Sequence, residues 1–219
     1  MELIVKPEGT DLLYQAFFEE PIVDRLRGDS LMTTVVNMAK AFGLRLNNIK
    51  LNNETPSDNF VHFFIFEGIS SFEVSFGFEE VSARLIRPLG EEQVVDLYGK
   101  LWQFLENLPI ARQRIYIQQQ LSSEGDTTAF LKALNPYVPS NFEKLLHRQG
   151  VYYTLKVSEH QLKIYLTVVP SIFRDDWLFL SIDNEFSPNL YVFQDAFKIA
   201  KDHREFILRE LNLKIQLEK

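Results

Sequence analysis

Residues 60–78 read Phe60-Val61-His62-Phe63-Phe64-Ile65-Phe66-Glu67-Gly68-Ile69-Ser70-Ser71-Phe72-Glu73-Val74-Ser75-Phe76-Gly77-Phe78. Seven of the chain's 19 phenylalanines fall in this stretch. Residues 60–66 are apolar on both faces except at His62, the pattern of a strand covered on both sides. From 72 to 78 the pattern becomes an alternation. Phe72, Val74, Phe76 and Phe78 face one way, and Glu73, Ser75 and Gly77 the other. The link at 67–71 has hairpin length, residues 81–87 extend the meander, and Pro88 and Gly90 end it. Glu91 and Glu92 then open a helix, because acids in a first turn oppose the positive end of the helix dipole. Its apolar positions Val94, Leu97, Tyr98, Leu101, Trp102 and Leu105 recur at spacings of three and four.

Upstream, residues 2–6 read as a short strand. Thr10 starts a helical pattern through Leu12, Leu13, Ala16 and Phe17. Ser30 caps a second helix through Val35, Val36, Met38 and Ala39, which Gly43 stops. Residues 44–51 form a strand with a slip in period, and 52–59 are loop by composition. Downstream, 112–119 is a strand. Gly125-Asp126 introduces a helix over 127–134, and Ser140 caps another to about Arg148. Three strands follow, over 151–157, 162–168 and 177–182. Ser187-Pro188 starts a long helix with the stripe Val192, Phe193, Ala196, Ala200 and Ile207. Leu211, Leu213, Ile215 and Leu217 alternate as a last strand.

These elements predict an α+β fold, with antiparallel meander sheets and amphipathic helices packed on them. The order strand, two helices, meander, long helix recurs in the two halves. It divides the chain at 1–109 and 110–219, either as two α+β halves or as one continuous domain.

Composition narrows function mainly by subtraction. Hydrophobic residues make up 46% of the 219-residue chain and charged residues 24%, an ordinary globular profile. The absence of cysteine excludes a disulfide scaffold, a thiolate zinc site and a cysteine nucleophile. No run of 18 apolar residues exists, and the acidic opening Met1-Glu2-Leu3-Ile4-Val5-Lys6-Pro7-Glu8 lacks the core of a signal peptide. Cytoplasmic residence is the expectation. The net charge of −7 argues against broad nucleic-acid binding. It is uneven: 1–109 carries −8 and 110–219 carries +1, which fits acidic solvent faces that keep a protein soluble as well as an acidic half that meets a basic partner.

The candidate chemistry is sparse. No Walker spacing, GxGxxG or GxSxG occurs, and no cofactor is expected. Of the four histidines His62, His147, His160 and His203, none lies four residues from another, so none builds a two-histidine helical metal face. His203 reads as a satisfied boundary residue. His62 reads as a buried polar group with a partner, or as the mark of a pocket. Asp183 and Glu185 lie at a strand end, where metal-binding carboxylates often sit, and would share a face if that strand continued. The most coherent polar stripe is Arg112, Arg114, Tyr116, Gln118 and Gln120, on one face of a regular strand. Two guanidiniums, an aromatic and two amides suit a polypeptide, phosphate or RNA. A solvated sheet face with long side chains gives the same pattern.

From about Gly150 to Leu211, the strand pair 152–169, the strand end Ser181-Ile182-Asp183 and a closing helix with His203 and Phe206 resemble a family of sporadically distributed, uncharacterised prokaryotic proteins. The resemblance covers about a quarter of the chain, implies no activity and assigns no functional residue.

Three readings follow. The first is a non-catalytic protein–protein interaction component, an adaptor or regulatory subunit of a prokaryotic assembly, with a protein partner or a second copy of itself and no membrane contact. Missing motifs, acidic charge and aromatic excess motivate it. The second is a binder of an apolar small molecule, because the element order is similar to that of the helix-grip fold. The third is a metal-dependent hydrolase or nuclease using Asp183 and Glu185.

Overall fold

The segment expected to turn helical at Thr10 stays extended. In the computed structural model, strand β1 runs from Leu3 to Phe18. Leu12, Tyr14, Ala16 and Phe18 are buried, and the intervening Leu13, Gln15 and Phe17 are half-buried. That is a period of two. Leu12, Leu13, Ala16 and Phe17 imitate helical spacing because both strand faces carry apolar groups there. The structure describes residues 2–22, 28–45, 48–52, 60–67, 70–136, 149–157, 162–174, 176–186 and 191–216.

The chain is α+β and divides into two compact units, each discontinuous in sequence. The first takes Asp11–Ile115 with Glu185–Phe197, and the second Met1–Thr10, Tyr116–Asn184 and Lys198–Lys219. No helix among the described residues is long and apolar enough to cross a membrane.

In the first unit, helix α1 spans Gly28–Phe42. Strands β2 (Ile49–Asn52), β3 (Phe60–Glu67), β4 (Ser70–Phe76) and β5 (Glu80–Ile86) form an antiparallel meander that continues into β1 and then β6 (Ile110–Ser123). The register runs Val61↔Phe76 to Glu67↔Ser70, then Phe72↔Leu85, then Leu12↔Leu85. Gly43 ends α1 at φ +63°, the left-handed conformation that lets the Leu44 amide reach the Ala39 carbonyl at 2.8 Å. The expected alternation holds as far as Phe76: Phe72, Val74 and Phe76 are buried and Glu73 and Ser75 between them half-buried, but β4 ends there, with Gly77 buried and Phe78 half-buried. Helix α2 (Glu91–Leu105) covers the apolar face through Val94, Leu97, Tyr98, Leu101 and Leu105. Phe72 meets Tyr98 edge-on at 5.2 Å, and Phe76 meets Phe104 at 5.6 Å.

Two tyrosines in this core differ in one respect. The Tyr98 hydroxyl donates to the Leu12 carbonyl at 2.7 Å, with the Ala83 carbonyl at 3.1 Å. The Tyr14 hydroxyl is buried with no hydrogen-bond partner among the described residues. Burial pushes both phenols well above their ordinary pKa. A buried polar group without a partner keeps its desolvation penalty. Tyr14→Phe is therefore expected to raise the unfolding free energy by about 1 kcal/mol, and Tyr98→Phe to lower it by about 1–2 kcal/mol. Urea titration of the two variants checks the opposite signs.

In the second unit the strand order is β1, β6, β9 (Trp177–Phe186), β8 (Leu162–Pro170), β7 (Val151–Val157). Helix α3 (Thr127–Leu134) starts at Asp126, whose carboxylate accepts from the Ala129 amide at 2.9 Å. The long helix α4 (Phe193–Glu210) passes from the first unit into the second, burying Ala200, Ile207 and Leu208 there. The last strand is shorter than expected. β10 spans Leu213–Ile215 and pairs in parallel with β1, Leu3↔Leu213 to Val5↔Ile215. The helix expected from Ser140 to Arg148 lies outside the described residues, as do His147 and His160.

Candidate functional site

Regular pleating along β6 decides where its side chains go. Gln113, Ile115, Ile117, Gln119 and Leu121 are buried, so Arg112, Arg114, Tyr116, Gln118 and Gln120 share the opposite face, where all five are half-buried. Arg112 and Arg114 belong to the first unit, and Tyr116, Gln118 and Gln120 to the second.

In the first unit the two arginines converge on Glu185. The Arg114 Nε donates to Glu185 Oε2 at 2.9 Å, and a terminal guanidinium nitrogen of Arg114 contacts the same oxygen. Arg112 reaches that oxygen only at 3.8 Å. Its guanidinium instead lies over the Phe17 ring, 4.2 Å from the centroid, with that of Arg114 at 5.9 Å. The side chains are exposed in the order Arg112 38%, Arg114 23%, Glu185 7%. A buried carboxylate therefore anchors Arg114, and an aromatic ring supports Arg112 in a fixed, open position.

Phe17 pairs across the ladder with Glu80. Burial and the neighbouring Glu79 raise the Glu80 pKa, against the pull of Arg112. The folded protein thus holds this proton to higher pH than the unfolded chain does. Glu80 withdraws stability as pH climbs from the ordinary glutamate value of about 4.3. Glu80→Gln is expected to flatten that part of the stability–pH curve, measured as unfolding midpoints between about pH 4 and pH 6.

β9 continues through Phe186, so Asp183 and Glu185 do share a face, and both are buried. Glu185 is engaged by the guanidiniums. Among the described residues no group of three or more His, Asp or Glu side chains is placed to hold a metal ion. Asn184, on the other face, contacts His203 on α4, Nδ1 to Oδ1 at 2.9 Å, which places His203 at a core boundary. His62 lies on β3, and its side chain falls outside the described set. On the β6 face in the second unit, the Gln120 side-chain carbonyl is buried without a partner among the described residues.

Two β6 residues that the stripe argument passes over hold the fold together around these groups. Gln113, fully buried, donates through Nε2 to the Tyr191 carbonyl at 2.9 Å and accepts from the Tyr191 amide at 3.4 Å. This clamps the backbone just before α4. Gln119, 3% exposed, links Thr10 and Arg204. The available signal was parity: both glutamines stand in register with Ile115 and Ile117, where an amide must find partners.

No protein-family model matches the chain, and no curated protein matches it in sequence.

Proposed function

We propose that this chain is a non-catalytic protein–protein interaction component, an adaptor or regulatory subunit, that docks an acidic protein segment on the Arg112 patch. One observation carries the reading. The Arg112 side chain is 38% exposed and its guanidinium lies over the Phe17 ring, while the nearby carboxylate bonds Arg114 directly. Arginine on an aromatic ring is the chemistry enriched at protein interfaces. A side chain already held in place loses little entropy on binding. The net charge of −7 favours a protein partner over nucleic acid. A prokaryotic assembly and a cytoplasmic setting are part of the proposal. In the first unit's core, Tyr98 and Phe193 stack at 4.6 Å and Tyr14 closes on Phe193 at 5.7 Å.

Size-exclusion chromatography with light scattering, on the purified chain and on native lysate, tests the proposal. The expected result is a complex heavier than the 25.6 kDa monomer that Arg112→Glu disperses while the urea midpoint stays in place. A 25.6 kDa species in both samples, or a complex indifferent to Arg112→Glu, overturns it.

A further inference from the structure

In the second unit a groove of about 580 Å³ runs between the last turns of α4, the start of β1 and β10. That is the size of a small-molecule site. Leu208, Leu213 and Ile215 contribute apolar lining, and three cations, Arg204, Arg209 and Lys214, also line it. Arg204 is the distinctive one. Its Nε donates to Gln119 Oε1 at 2.8 Å, and the buried Gln119 is itself fixed by its Nε2 bond to Thr10 Oγ1 at 3.0 Å. Among the described residues no carboxylate forms an ion pair with Arg204. Burial lowers its pKa, offset in part by Glu205, as for a cation short of a counter-ion. The carboxylates of Glu2 and Glu205 in the lining are on exposed residues, where water and salt screen them.

A partly desolvated guanidinium held along one edge by a neutral amide keeps its other N–H groups for an incoming oxyanion, which it can grip with two parallel bonds. We propose that this groove binds a small molecule carrying a carboxylate or phosphate group on a short apolar body. Arg204 grips the oxyanion, Lys214 adds charge, and the body lies along Leu208, Leu213 and Ile215. This site is independent of the Arg112 patch.

Octanoate and inorganic phosphate, titrated separately into the full chain and followed by NMR of the arginine Nε–H and isoleucine methyl groups, distinguish an amphiphilic anion from a bare one. Octanoate is expected to bind with Kd of about 1 mM or tighter, and phosphate about tenfold more weakly. Lys214→Ala, at an exposed position, is expected to weaken octanoate about threefold, and Arg204→Lys, which loses the planar fork, about tenfold. Unchanged urea midpoints show that the variants fold. Absence of octanoate binding, equal binding of the two probes, or binding that both variants leave intact overturns the proposal.

Discussion

Phe193→Ala is expected to lower the unfolding free energy of the first unit by about 4 kcal/mol, within the range for deleting a buried ring. Phe193 is 1% exposed and opens α4. It stacks on Tyr98 at 4.6 Å and 11°, lies parallel to Phe197 at 5.6 Å, and meets Tyr14 edge-on at 5.7 Å. Alanine removes these ring contacts together and leaves a cavity walled by Tyr14 on a strand and Tyr98 on a helix. The strand and helix cannot collapse into the space without breaking the Tyr98 hydroxyl bond to Leu12. Phe193→Leu keeps most of the volume and is expected to lose about 1.5 kcal/mol. Far-UV circular dichroism in urea gives both values. A loss below about 1 kcal/mol for the alanine variant would place the ring outside the core.

Arg114→Leu is the second large effect, an expected loss of about 3 kcal/mol. Glu185, with a side chain 7% exposed, loses the nearer of its two guanidinium partners, the other being Arg112 at 3.8 Å. Removing one member of a buried pair is more damaging than removing both, because the survivor stays desolvated. Arg114 is 23% exposed, so water relieves part of the penalty, and the figure sits at the low end of the range for buried pairs. Adding Glu185→Leu is expected to restore most of the stability, and the double-mutant cycle isolates the coupling. If the single variant loses less than about 1 kcal/mol, Glu185 is not anchored by Arg114.

β4, α2 and most of the stripe of α4 were legible because each carries its apolar residues at one period only, although Val192 of that stripe lies just before the helix and is 48% exposed. Phe72, Val74 and Phe76 can be nothing but a one-sided strand, and Val94, Leu97, Tyr98 and Leu101 nothing but a helix face. β1 was illegible for the opposite reason. Phe17 sits on the polar side of the sheet, and that ring both spoils the alternation and supports Arg112. The stripe Arg112 to Gln120 was readable as one face of β6. What it holds was not, because Glu185 lies 71 residues from Arg114 and only strand order brings the two together. Arg204 stayed hidden in the same way, since its partner Gln119 is set by folding and not by spacing.

The pairing of β1 with β10 also has a mechanical meaning. The two strands are parallel, Leu3 beside Leu213 and Val5 beside Ile215, fastened by Leu3 N–H to Asn212 O at 3.0 Å and Gln216 N–H to Val5 O at 2.8 Å. A pull applied at residue 2 and residue 216 drags the strands past each other along their axes. The clasp is then loaded in shear, with its bonds sharing the force and breaking together, where a hairpin would unzip one bond at a time.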